Sequence, residues 1–116
     1  MIALEVGEAR IFVRPGPTDM RKQINGLAAM AQGEMAQDLF SGSLFVFCNK
    51  TRKNLKALYW DRTGFSLWQK RLERDHFPWP KTEEAAKEIA VDQFRMVLEG
   101  IDFWNAHQTL AYTTVL

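Results

Sequence analysis

Leu44-Phe45-Val46-Phe47-Cys48 is an unbroken apolar run, preceded by Ser41-Gly42-Ser43 and followed by the polar stretch Asn49-Lys50-Thr51-Arg52-Lys53-Asn54. Alternate side chains of a strand point to opposite faces, so a strand with nothing polar on either face has to be covered on both. The run is far too short to cross a bilayer. The chain must therefore build a sheet around this segment, with packing material above and below it.

The neighbouring residues supply that sheet. Leu55, Ala57 and Tyr59 alternate with Lys56, Leu58 and Trp60, and Phe65, Leu67 and Gln69 alternate with Ser66, Trp68 and Lys70. Between them, Asp61-Arg62-Thr63-Gly64 suits a hairpin loop, because Gly64 is free to take positive φ. Three strands on short loops predict an antiparallel β-meander. Upstream, Ile2 to Val6 and Arg10 to Arg14 read as short strands, the second stopped by Pro15-Gly16-Pro17. Thr18 or Asp19 is placed to cap a helix. Met20, Ile24, Leu27, Ala28, Ala31 and Met35 form one apolar helical face that predicts a helix running to about Ala36. Gly26 and Gly33 interrupt this face, each unfavourable by roughly 1 kcal/mol relative to Ala, so Gly26 suggests close approach of another backbone. Pro78 and Pro80 around Trp79 end the sheet region. The composition of Thr82 to Ile89 suits a helix, a linker or an edge strand. Val91 to Glu99 predicts a helix with Phe94, Val97 and Leu98 on one face and Gly100 at its C-cap. Thr109 to Leu116 is β-favouring and suited to pairing with the N-terminal strands. The expected fold is a single α+β domain over residues 1–116: an antiparallel meander of about five strands against one long helix, with one or two short C-terminal helices.

At 116 residues, 47% hydrophobic and 25% charged, the chain can bury one continuous core without staples. One cysteine, Cys48, excludes an internal disulfide and a Cys-rich zinc site. The first residues, Met1-Ile2-Ala3-Leu4-Glu5, lack the pattern of a signal peptide, so a cytoplasmic setting away from membranes is expected. The net charge of +1 is unevenly spread: residues 1–43 carry −1, residues 44–74 carry +6 and residues 75–116 carry −4. An anionic partner would be drawn to the middle of the chain.

No constellation of catalytic residues stands out. A metal nuclease needs two or three converging carboxylates, and Asp61, Glu73 and Asp75 qualify only by proximity in sequence. Their setting, a turn and a loop border, and the order of elements both argue against the βαβ-containing nuclease folds. His76 and His107 lack ligand-like spacing, Cys48 reads as a buried structural thiol, and no glycine-rich phosphate loop is present. Neither a cofactor nor a metal is expected. The suggestive group is basic: Lys50, Arg52 and Lys53 on one turn, and Lys70, Arg71 and Arg74 at the end of the third meander strand, with Tyr59, Trp60, Phe65 and Trp68 between. Cations of this kind neutralise phosphates, and exposed aromatics stack on bases. Half-buried sheets more commonly place such aromatics in the core. The cations then form either a nucleic-acid surface or a protein-docking surface.

Several blocks resemble a known family. They are Thr18-Asp19-Met20-Arg21-Lys22 with Gly26-Leu27-Ala28; Phe40-Ser41-Gly42-Ser43-Leu44-Phe45-Val46-Phe47; Leu55-Lys56-Ala57-Leu58-Tyr59-Trp60-Asp61; Gly64-Phe65-Ser66-Leu67-Trp68-Gln69-Lys70-Arg71-Leu72-Glu73; Phe77-Pro78-Trp79-Pro80; and Leu98-Glu99-Gly100-Ile101-Asp102. Together they resemble the short second-frame protein of the insertion-sequence-66 transposon family, the TnpB type, which is unrelated to the RNA-guided nuclease of the same name. Gln23-Ile24-Asn25-Gly26 departs from the Gly-Phe-Asp-Gly usual there. The resemblance implies a non-catalytic accessory role in transposition beside a larger transposase of the same element, and it supplies no catalytic residue.

Two functional expectations follow. In one, Lys50, Arg52, Lys53, Lys70, Arg71 and Arg74 contact the phosphates of transposon DNA. In the other, the protein docks on the transposase or self-associates, with Arg21, Lys22 and an exposed Trp79 as contacts.

Overall fold

The computed structural model describes residues 9–81 and 87–102. Seven elements follow in order: β1 (Ile11–Val13), α1 (Ile24–Gly33), β2 (Leu44–Cys48), β3 (Asn54–Asp61), β4 (Gly64–Arg71), β5 (Lys87–Ile89) and α2 (Val91–Leu98). The strands form one sheet in the order β4-β3-β2-β1-β5. β2 lies at its centre with all five side chains buried, as its two apolar faces require. Pairing of Leu58 with Leu67 and of Trp60 with Phe65 puts both on one face, and pairing of Ala57 with Trp68 puts these on the other.

The sheet is mixed, which corrects the all-antiparallel expectation. β1 runs parallel to β2, with Ile11 beside Leu44 and Val13 beside Val46. β5 returns antiparallel on the outer side of β1, with Ile11 beside Ile89. Strand alternation records which face a side chain takes and carries no information about direction. Direction here is set by α1, which intervenes between β1 and β2 and makes the connection a crossover. The edge-strand alternative for the segment ending at Ile89 is the one realised over Lys87–Ile89. The possible strands at Ile2 to Val6 and Thr109 to Leu116 lie outside the described residues.

Each face of the sheet has its own core. Leu27 and Ala31 of α1, with Met35 and Leu39 after it, pack on Phe12, Phe45, Phe47 and Leu58. Phe12 and Phe45 stack at 5.9 Å between ring centroids. On the opposite face Phe94, Val97 and Leu98 of α2, joined by Phe77 and Trp79, cover Ile11, Val13, Leu44, Val46, Cys48, Leu55 and Ala57. Each such large side chain contributes about 1.5–3 kcal/mol by leaving water. Burial also pushes the Cys48 thiol up to about 12 from its ordinary 9.0, which makes it an inert part of the core. α2 ends as its sequence suggests: Gly100 takes φ of +81°, and the Ile101 N–H donates to the Met96 carbonyl at 2.8 Å.

The long helix expected from Thr18 or Asp19 is shorter and starts later. Thr18 is buried, and its N–H donates to the Cys48 carbonyl at 2.8 Å. The Asp19 carboxylate accepts from the Arg21 N–H in a local turn. The cause of the delay lies in β3. Lys56 points to the α1 face, is only 2% exposed, and donates from Nζ to the carbonyls of Met20 at 2.8 Å and Lys22 at 2.9 Å. In a continuous helix the Met20 carbonyl would accept from residue 24. Lys56 takes it instead, so α1 begins at Ile24, with Gln23 at its N-cap making no side-chain cap bond. Removal from water lowers the Lys56 pKa below its usual 10.5. Gly26 packs against the stem of Lys22, whose Cβ would lie 3.2 Å from an added methyl group, and not against a foreign backbone.

Lys56→Met keeps the apolar stem and leaves two carbonyls without their donor. This substitution is expected to lower unfolding free energy by about 2–3 kcal/mol. Chemical denaturation of the two proteins checks it; equal midpoints would show that water replaces the ammonium freely.

Candidate nucleic-acid interface

Because β1 and β2 are parallel, the chain leaves both at the same end of the sheet. β3 begins and β4 finishes at that end, since Asn54 pairs with Arg71. Three loops meet there. The turn after β2 is closed by Asn49, whose N–H donates to the Asn54 carbonyl and whose Oδ1 accepts from the N–H groups of Lys53 and Asn54 at 3.0 and 3.1 Å. Within it Arg52 takes φ of +61°, a conformation L-residues rarely adopt. The segment after β4 wraps this turn: the Leu72 N–H donates to the Lys53 carbonyl, and the Phe77 N–H to the Arg52 carbonyl. It ends in Trp79, whose indole N–H donates to the carbonyls of Arg14 at 3.0 Å and Gly16 at 3.2 Å. The Gly16 N–H returns a bond to the Pro80 carbonyl at 2.9 Å. Pro15-Gly16-Pro17 and Pro78-Trp79-Pro80 are thus bound together as one corner.

Between the three loops lies an open cleft of about 320 Å³. Gly16 and Pro17 form one side, Asn49, Lys50 and Arg52 the second, and Trp79, Pro80 and Lys81 the third. Its walls are apolar or amide and its charges are all positive. Among the described residues, none of the side chains of Lys50, Arg52 and Lys81 forms an ion pair.

The six cations singled out by sequence sit in different surroundings. Lys50 and Arg52 line the cleft, and Lys53 follows at the foot of β3. Arg74 is exposed in the wrapping segment. Arg71 is paired with Glu73, Nη2 to Oε1 at 3.1 Å. Lys70 lies on the α2 face and approaches the Leu98 carbonyl at the C-terminus of α2, at 3.4 Å. Sequence reasoning missed Lys81 and the Gly16-Pro17 wall. In sequence the two Pro-containing segments read only as the stop of a strand and the end of the sheet region, and their meeting depends on the parallel pairing.

The docking candidates also separate. Trp79 is 6% exposed and fixed by two hydrogen bonds, which corrects its expected exposure, although it also lines the cleft. Lys22 is exposed, with its stem against Gly26. Arg21 is exposed and clamps Asp19. The aromatics between the cations divide by face: Tyr59 and Trp68 pack beside the α2 core, and Phe65 beside the α1 core. At the far end of the sheet, Phe40 is 61% exposed and lies 4.9 Å from the Trp60 ring and 5.8 Å from Phe65, centroid to centroid.

The carboxylates do not converge. Asp61 pairs with Gly64 at the tip of the β3–β4 hairpin, whereas Glu73 and Asp75 follow Arg71 at its base. The seven strand steps between imply roughly 23 Å at about 3.3 Å per residue. The β1–α1–β2 unit does place a βαβ connection in the chain, so element order carries no weight against a nuclease; the separation of the carboxylates does. No described group of three His, Cys, Asp or Glu residues could hold a metal ion. No described helix is long and apolar enough to cross a membrane.

The fold and site define a small α+β protein with a mixed sheet and a cationic cleft outside the carboxyl ends of its parallel strands. Residues 9–108 match the model of the IS66 Orf2-like proteins, and the chain belongs to that family. It is similar to two proteins of Sinorhizobium fredii. The uncharacterized protein y4jC is 33% identical over 94 residues, covering 81% of this chain and 80% of the relative. The uncharacterized protein y4hO is 35% identical over 106 residues, covering 91% and 92%. No solved structure matches the chain.

The geometry at Asp19 yields a titration prediction. Hydrogen bonds from the Arg21 side chain and then from its backbone N–H hold the Asp19 carboxyl at about 2, below its ordinary 3.8. A lowered carboxyl pKa contributes stability above pH 3.8 that is lost as pH falls through about 2. Carboxyl NMR should place the Asp19 midpoint near the lower value, and Arg21→Ala should return it towards 3.8. A midpoint that Arg21→Ala leaves in place would refute the pairing.

Proposed function

We propose that this protein is a non-catalytic accessory factor of insertion-sequence transposition that binds DNA through the basic end of its sheet. Membership of the IS66 Orf2-like family supports the transposition setting. The observation that carries the DNA reading is the gathering of Lys50, Arg52, Lys53, Arg74 and Lys81 around one end of the sheet. None of these side chains has an ion-pair partner among the described residues. Crevices outside the carboxyl ends of parallel strands are common ligand sites in open sheets. Unpaired cations there exchange small counterions for phosphates. The wide separation of Asp61 from Glu73 and Asp75 supports leaving strand cleavage to the separate transposase.

Binding to a transposon-end duplex should weaken with salt. With about four phosphates neutralised, log K falls against log salt with a slope near −3.6. Lys50→Ala and Arg52→Asn should each reduce that slope by about 0.9, the Asn retaining a tolerance for positive φ. Failure to bind any duplex at low salt would end this reading.

A second reading, docking on the transposase or on another copy of the chain, is favoured by Phe40. Exposed aromatics resting on other aromatics make good anchors for a protein partner. In co-purification with the transposase, Phe40→Asp should abolish recovery, while charge reversal at Arg21 and Lys22 measures the share of the basic helix approach. Full recovery of the Phe40 variant would remove the aromatic patch from the interface.

A further inference from the structure

The cleft is concave, whereas phosphates along an intact duplex present a convex ridge that exposed cations can meet without a cavity. We propose that the cleft receives one unpaired nucleotide at a DNA end, an inference that rests on the nucleic-acid reading above. Its volume of about 320 Å³ lies at the small end of ligand sites, which span about 300–1,000 Å³. That leaves room for one base with its phosphate. The wall suits a base, because Pro17, Trp79 and Pro80 line it with apolar surface. The mouth suits the attached phosphate, with Lys50, Arg52 and Lys81 on two of its three sides and no carboxylate in the lining.

The wall is also preorganised. Trp79 is fixed by its bonds to Arg14 and Gly16, and Gly16 is fixed in turn by Pro80. Two proline rings beside it have little conformational freedom to lose. A rigid apolar wall binds a planar base with little ordering entropy. The Asn49 Oδ1, by contrast, is engaged in its own turn, where it takes two backbone N–H groups, so no free side-chain acceptor in the lining faces a base edge. Recognition therefore rests on the face of the base and the phosphate charge, which predicts tolerance of base identity. Lys53 and Arg74, next along the same end of the sheet, are placed to take the phosphates of the adjoining paired region.

Fluorescence anisotropy with the full-length protein tests this, using three labelled DNAs of matched sequence: a blunt duplex, the same duplex with a short single-stranded overhang, and the single strand. The overhang duplex should bind at least about tenfold more tightly than the blunt one, the size expected for burying one base. Pro17→Phe, which fills the cleft without changing charge, should bring that ratio close to one. Lys81→Ala, at an exposed position, should lower it as well and guards against misfolding of the first variant. Equal affinity of the wild type for blunt and overhang duplexes overturns the nucleotide site and leaves the duplex-binding reading standing. No binding to any of the three at low salt overturns both.

Discussion

The parallel pairing of β1 with β2 is the constraint on which the rest of the molecule depends. Two parallel neighbours cannot be joined by a tight turn, so the chain between them has to leave the sheet and cross one face. Here it does so as α1, which supplies one of the two covers demanded by Leu44–Cys48. The other cover comes from α2 and the Phe77–Trp79 segment. Parallel direction also fixes where the loops go. Arg14 to Thr18 and Asn49 to Lys53 emerge side by side, and the cleft is the space between them. An antiparallel β1 would have sent Pro15-Gly16-Pro17 to the opposite end, beside the β3–β4 hairpin.

Polar groups hold this arrangement together with apolar burial. Loops that leave a doubly covered sheet carry backbone groups that must be paired or wetted. The Trp79 indole takes the carbonyls of Arg14 and Gly16, the Arg14 guanidinium reaches Glu34 and the Pro17 carbonyl, and Lys56 takes those of Met20 and Lys22. Among the described residues, no buried side-chain nitrogen or oxygen lacks a partner. The Trp79 and Lys56 bonds are long-range in sequence, from residue 79 to residues 14 and 16 and from residue 56 to residues 20 and 22. The Trp79 bonds tie one wall of the cleft to the end of β1, and the Lys56 bonds tie the approach to α1 to β3.

How much of this was legible in the sequence depends on the range of the interaction. The central strand, the faces of β3 and β4, the apolar stripe of α2 and its glycine stop are local patterns, and the structure contains them. The start of α1 was not legible. Thr18 and Asp19 have the composition of a cap, but a lysine almost forty residues later competes for the backbone carbonyls of the first turn. The direction of β1 was hidden for a related reason, because alternation is the same in either direction. At the candidate site, Lys50 and Arg52 were visible as a charged turn. Lys81 was not, because only the corner formed by Trp79 and Gly16 brings it to that turn.

Arg52 illustrates what such a corner demands of a single position. Its left-handed backbone angle disfavours an ordinary side chain by about 1–2 kcal/mol relative to Gly. Glycine and asparagine would ease the turn, and both would discharge it. Substitution at this position therefore trades one property against the other: Gly or Asn would relax the backbone and remove a positive charge from the cleft lining, whereas Lys would keep both the charge and the strain.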